Sequence, residues 1–287
     1  MSSSRVVFLR DSQNADGGWG YLPAQTSAVE ATAAVALALR GESAAGELYR
    51  GALAWLDRLQ HGDGGWGVGP SDRESGWATA WAVWALTGSG FPPDAAARGV
   101  EWLLAVKTSE PGSDDDIQRT KQTLGIDPTL RGWSWWPGEA TWVEPTALTV
   151  LALASLPSTP AIQDRIAEAV RYLVDRRCRE GGWNVGNPVM FSQALPPRAH
   201  PTALAVLALS RAAPEQLRPE DLSALRADMR SDGGALALAS GLLALRERGE
   251  EDPSAAGRLA ELQQADGSWN SNVYHTAFAL MAERGGI

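Results

Sequence analysis

The chain repeats one short phrase, and that repetition constrains its fold more than any other feature. Gly-Gly-Trp recurs in "DSQNADGGWGY" around Trp19, "RLQHGDGGWGV" around Trp66 and "RRCREGGWNVG" around Trp183, with "LQQADGSWNSN" around Trp269 as a near copy. "LRGWSWWPG" around Trp133 is looser, and "MRSDGGALAL" puts Ala235 where the tryptophan would stand. An apolar run follows each: "TAAVALAL", "TAWAVWAL", "TALTVLAL", "TALAVLAL", "ASGLLAL" and "TAFALMA". A more polar segment with helical spacing precedes each, as in "GALAWLDRLQ" and "AEAVRYLVDRR". The unit reads as outer amphipathic helix, glycine corner, inner apolar helix, with glycine supplying the backbone freedom of the corner.

Six such units over 287 residues predict about twelve helices, all-α, in a single domain spanning 1–287. Antiparallel helix pairs stack as an open solenoid or close into a ring. The inner runs are alanine-rich and lack a polar face, which fits burial inside a closed double ring. The expected fold is an (α/α)6 toroid.

Composition bounds the rest. A net charge of −9 with no compensating basic patch argues against a nucleic-acid partner. One cysteine, Cys178, excludes an internal disulfide and a multi-thiolate metal site. No run of about 18 apolar residues predicts an integral membrane segment, and the start has no leader pattern, so a cytoplasmic protein is expected. Tryptophan is overused, 13 against 4 phenylalanines and 4 tyrosines.

Aligning the apolar runs on Thr32, Thr79, Thr146, Thr202 and Thr276 brings Glu30, Trp77, Glu144, His200 and Tyr274 to one position, two residues earlier. Large polar or aromatic groups are thus expected at one mouth of the toroid. A structural reading competes: Pro145 and Pro201 look like first-turn prolines, and a carboxylate at a helix start is favoured by about 0.3–1 kcal/mol. Trp77, Trp81 and Trp84 recur at helical spacing. An aromatic stripe like this either fills a core or faces a cation, each ring contributing about 0.5–2 kcal/mol to the latter.

Glutamine a few residues before the tryptophan (Gln13 with Trp19, Gln60 with Trp66, Gln263 or Gln264 with Trp269) resembles the QW repeats of triterpene cyclases. In the Trp183 unit an arginine takes the glutamine's place. Nearly the whole chain resembles one α/α toroid of the terpenoid cyclase and protein prenyltransferase superfamily, close to bacterial prenyltransferase/squalene oxidase repeat proteins and squalene-hopene cyclases.

The resemblance implies a class II-like, proton-initiated terpene cyclase acting on an isoprenoid or polyprenyl chain. In that family the middle aspartate of an Asp-x-Asp-Asp motif before Thr-Ala donates the proton. "WVEPTA" sets Glu144 there, with Trp142 and Pro145 in place of the flanking aspartates. A donor of this kind must be held protonated and have its anion stabilised, a role left to His200. Glu30, Trp77, Trp81, Trp84, Trp142 and Tyr274 are the expected substrate-binding residues. In such cyclases the site lies between two domains, so a homodimer or second domain is the expected partner.

No cofactor is expected; Mg2+ would enter only with a diphosphate substrate. The spacer from Lys107 to Arg131 reads as a solvated loop or lid, and its run Asp114, Asp115, Asp116 matches neither aspartate motif of the terpene synthases. "YHTAFAL" resembles the zinc-histidine stretch of prenyltransferase β subunits, but His275 is one ligand where zinc needs three or four. Two other functions stay open. One is a non-catalytic isoprenoid- or lipid-binding toroid, favoured by the missing aspartates. The other is a glycosidase using Glu30 and Glu144, which needs them roughly 5–9.5 Å apart, closer than residues two repeats apart are expected to lie.

Overall fold

The computed structural model describes residues 4–90 and 93–286. Among these, thirteen helices carry the fold. Six form an inner ring: α2 (Val29–Leu39), α4 (Ala78–Leu86), α7 (Val143–Ala154), α9 (Ala199–Ala212), α11 (Ala235–Glu247) and α13 (Val273–Arg284). Each packs against two neighbours in this order, and α13 returns to α2, so the ring is closed. The outer ring is α1 (Ser4–Asp11), α3 (Gly46–Arg58), α5 (Pro93–Ala105), α8 (Pro160–Asp175), α10 (Pro219–Asp232) and α12 (Pro253–Glu261).

Every residue of α2 and α4 is buried. Alanine makes this work, since it is the best helix former and lets six helices approach closely around one axis. The outer helices α3, α5, α8 and α12 are amphipathic and lay their apolar stripes on the inner ring. Each inner helix packs against the outer helix that follows it, and α1 covers α13. The hairpin therefore runs inner to outer, and the Gly-Gly-Trp segment joins one hairpin to the next.

That segment has defined mechanics. The first glycine (Gly17, Gly64, Gly181, Gly267) sits at φ +89° to +93°, a region open to glycine without strain. The tryptophan is fully buried, and its indole N–H donates to the carbonyl of a leucine near the end of the preceding outer helix. The five pairs are Trp19–Leu9, Trp66–Leu56, Trp133–Leu103, Trp183–Leu173 and Trp269–Leu259, at 2.6–2.9 Å. Its backbone N–H donates to the hydroxyl of the threonine that opens the next inner run, at 2.8–3.1 Å. Burying one such ring contributes at most about 4–6 kcal/mol. Two more tryptophans, Trp55 and Trp102 on outer helices, donate to turn residues Asp16 and Asp63. Seven of the thirteen are thus fastenings of the ring.

The loops lock neighbouring repeats together at the inner-helix N-termini. Val29, Trp77, Val143 and Val273 donate their backbone N–H to the carbonyls of Val68, Trp135, Val185 and Tyr21, each two residues past a repeat tryptophan. Where the repeat is degenerate, only Gly233 and Gly234 join α10 to α11, and the Asp228 carboxylate takes over, accepting from Ala199 N at 2.6 Å. At the opposite end arginines close the carbonyl ends: Arg40, the residue after α2, on Trp84, Ala85 and Thr87, Arg284 of α13 on Ala38 and Arg40, Arg246 of α11 on Ala282.

The spacer from Lys107 to Arg131 is not a loop throughout. Asp114–Leu124 is a helix, α6, outside the double ring. Ser113 and Asp116 form a capping box, the three aspartates stand in the first turn where the helix dipole favours them, and Gly125 closes it in the left-handed conformation. No residue of α6 is buried. Two short hairpins complete the chain: Trp133–Ser134 with Thr141–Trp142, and Val189–Met190 with Gln193–Ala194.

Candidate functional site

Glu30, Glu144, His200 and Tyr274 are each the second residue of an inner helix, and Trp77 immediately precedes a fifth. The register read from threonine thus places all five at the same end of the toroid. None of α2, α7 or α9 has a side-chain cap, because the loop carbonyls and Asp228 already satisfy their first N–H groups. The two glutamates are therefore spare as helix caps.

Their electrostatics agree. Burial raises Glu30 to about 7, against the pull of donors from Tyr21, Tyr274 and Trp81. Burial also raises Glu144 to about 7, and the charge of Glu30 adds to it. A helix N-terminus pulls the other way by about 0.3–1 kcal/mol, whereas one pKa unit is 1.36 kcal/mol; desolvation wins. Burial pushes His200 down to about 4, so its imidazole is neutral near pH 7. No cation figures among the groups acting on either carboxylate.

Tyr21 donates its hydroxyl to Glu30 Oε2. Trp81 Nε1 and the Tyr274 hydroxyl lie beside the same carboxylate and favour its charged form, yet neither reaches hydrogen-bond geometry. His200 Nε2 stands 3.8 Å from Glu144 Oε1, too far for a hydrogen bond, and both its ring nitrogens are buried without a partner. Four unpartnered polar atoms in one cluster depart from the rule that buried polar groups are satisfied.

Beneath them the centre of the ring is packed with aromatic side chains. Tyr274 packs on Phe278 at 4.9 Å between centroids, His200 on Phe278 at 5.4 Å, and Trp81 on Tyr274 at 5.9 Å and Trp84 at 5.7 Å. Leu22, Val185, Met190 and Phe191 are exposed at this end, beside exposed polar residues such as Gln25, Arg73, Gln193 and Asn270. Phe191 and Ser192 turn the second hairpin at positive φ, unusual for a bulky side chain.

The expected residues separate into two groups. Glu30, Glu144, His200, Tyr274 and Trp81 come together. Trp84 lies deeper, its carbonyl held by Arg40. Trp77 stands edge-on to Trp135 at 5.0 Å, turned toward the first hairpin. Trp142 is half-buried in that hairpin, and its ring lies against Gly186, where a Cβ would come within 2.7 Å. Sequence reasoning missed Tyr21 and Phe278. Phe278 was within reach of the helical spacing applied to Trp77, Trp81 and Trp84, being four residues beyond Tyr274. Tyr21 had a fainter signal, its equivalence with Val68, Trp135 and Val185.

His275 is half-buried beside Asn270, and among the described residues no group of three or more His, Cys, Asp or Glu side chains is placed to hold a metal ion. Burial pushes the Cys178 thiol up to about 11, away from reactivity. Among the described residues no helix is long and apolar enough to cross a membrane.

No protein-family model matches the chain, and no curated protein sequence matches it. Solved structures do. A type II terpene cyclase, MstE from Scytonema, in a variant bound to merosterolic acid A, is 16% identical with a TM-score of 0.65, over 98% of this chain and 94% of that one. A protein from Actinoplanes is 20% identical with a TM-score of 0.59, over 98% and 97%. The cellobiose 2-epimerase of Spirochaeta thermophila is 12% identical with a TM-score of 0.61, over 96% and 91%. Likeness at such identities is one of fold: the chain is an (α/α)6 toroid, an architecture it shares with a terpene cyclase and with a sugar epimerase.

Proposed function

We propose that the protein is a class II-like, proton-initiated cyclase of an isoprenoid, working at the end of the ring where Glu30 and Glu144 meet the buried aromatic cluster. One observation carries this reading: two carboxyl groups that hold their protons to about pH 7 sit over a stack of aromatic rings. A proton kept in an apolar chamber, with rings to shield the carbocation that follows, is what initiation requires. Glu144 with neutral His200 is the pair the motif resemblance selects. Glu30 is the better furnished of the two, because Tyr21 donates to it and Trp81 and Tyr274 stand ready to do so as it becomes an anion.

The sugar chemistry of the epimerase neighbour fits less well. The mouth holds polar groups that a saccharide could meet, but below them the inner helices offer alanine, leucine and aromatic rings, few partners for hydroxyls along its length. A non-catalytic isoprenoid-binding toroid is the second reading, favoured by Trp142 and Pro145 standing where cyclases carry carboxylates. Incubation with squalene, oxidosqualene, farnesyl diphosphate and geranylgeranyl diphosphate, read by gas chromatography with mass detection, separates the two. A cyclic product that Glu30→Gln or Glu144→Gln abolishes is the expected result. Retention of a lipid without any product would leave the binding toroid.

A further inference from the structure

The degenerate repeat leaves a cavity where the others hold an indole. Trp66 shows how an intact repeat fills the space. Its backbone N–H donates to Thr79 of the next inner run, and its ring lies against the next outer helix, where a Cβ on Gly99 would come within 2.8 Å of it. Gly99 stands four residues before Leu103, whose carbonyl receives the Trp133 indole. In the degenerate repeat, aligning "LASGLLAL" with "TALAVLAL" puts Leu238 at the threonine position. Ala255, four residues before Leu259, takes the position of Gly99, since the Leu259 carbonyl receives the Trp269 indole. Leu238 and Ala255 line one cavity of about 310 Å3 between α10, α11 and α12, with Met229, Arg230, Asp252 and Arg258 on its walls.

These walls describe a ligand. The Met229 sulfur is folded over Gly241, where a Cβ would collide with it, and a thioether makes an adaptable floor for an aromatic ring. The lip is charged. Arg230 is exposed, and Arg258 pairs with Glu261 at 3.0 Å, both side chains more than half exposed, a contact of little energy that a ligand can replace. The Asp252 carboxylate is engaged as the cap of α12, accepting from Ala255 N, and the start of that helix favours an anion. Arginine over indole recurs in this fold: Arg165 lies 3.8 Å from the Trp133 ring, Arg177 4.9 Å from Trp183 and Arg5 5.9 Å from Trp269. The cavity is at the small end of ligand pockets, which suits one fused ring rather than an extended chain. An aliphatic acid would lose the cation–π contact, and a neutral ring would leave the arginines without an anion.

We propose that this notch binds a small planar aromatic acid the size of indole acetate, its ring taking the place of the absent tryptophan and its carboxylate meeting Arg230 and Arg258. None of these residues belongs to the cluster around Glu30 and Glu144, so the site stands or falls apart from the cyclase reading.

Equilibrium dialysis of the whole protein tests this with indole acetate, neutral indole and cyclohexyl acetate. Indole acetate is expected to bind about fivefold more tightly than either of the others, because ring and charge each contribute on the scale of a cation–π contact or an exposed ion pair. Replacing both arginines, Arg230→Gln with Arg258→Gln, should remove its advantage over indole. Ala255→Leu grows a side chain from the wall into the cavity and should weaken all three probes about tenfold, with its fold checked by circular dichroism. Where that variant does not fold, the exposed arginine pair decides alone. Equal binding of the three probes, binding that these variants leave intact, or no binding at millimolar concentration overturns the proposal. An acetylated Asp-Trp-Asp peptide is the fourth probe; tighter capture of it than of indole acetate overturns the free small molecule in favour of a partner's side chain.

Discussion

At the scale of single residues, the mouth is governed by desolvation. A glutamate in the unfolded chain titrates near 4.3, while Glu30 and Glu144 hold their protons to about 7. Between those values the folded state binds more protons than the unfolded one, so stability falls as pH rises from about 4.5 to about 7 and then levels off. The cost at pH 8 is at most about 4 kcal/mol per group. Glu30→Gln keeps the shape and an acceptor for Tyr21 but cannot ionise. Thermal unfolding should therefore show the variant more stable than the wild type at pH 8, with the advantage gone at pH 5. An equal difference at both pH values would mean that Glu30 is not the group being neutralised. Glu30, Glu144, His200 and Tyr274 were legible from register alone, because second positions of equivalent helices share an end. Their contacts were not. Tyr21 reaches Glu30 from a loop, and no periodicity records where a loop side chain turns.

At the scale of elements, the repeated phrase was legible because each of its residues has a fixed mechanical task. Glycine takes the positive φ, tryptophan clamps the outer helix before it, and threonine accepts from the tryptophan. The phase of the hairpin was not legible: outer–turn–inner and inner–outer give the same string, and only packing shows that α2, α4, α7 and α9 prefer the outer helix after them, while α11 rests on both its outer neighbours. Helix α6 hid in a stretch read as a loop, since its polar surface gives no core-facing signal, although Ser113 three residues before Asp116 is a capping pattern. Because α6 buries no residue, replacing 113–125 by a Gly/Ser linker of about six residues should shift stability by less than about 1 kcal/mol. Urea unfolding of the shortened chain measures this; a loss above about 2 kcal/mol would assign α6 a structural task that its exposure does not suggest.

At the scale of the whole molecule, closure is the organising fact. Arg5 of the first helix pairs with Glu283 of the last at 2.7 Å, and α13 packs between α11 and α2. The ring has no structural beginning. A circular permutant joining the present ends by a short linker and opening between Gly233 and Gly234 should keep the helical circular dichroism spectrum and melt within about 5 °C of the parent. Failure to fold would show that the order in which the helices are made matters as much as their arrangement.

That closure also bears on biosynthesis. In an open repeat array each repeat rests mainly on its neighbours, so a shortened array is a weaker version of the whole. Here α2 is made well before α13 and waits for it, and the ring stays open between them until then. A message truncated before Val273 would yield a chain without Tyr274 and Phe278 and with the alanine flanks of two helices bare, a target for chaperones and proteases. Production of this protein is all or nothing.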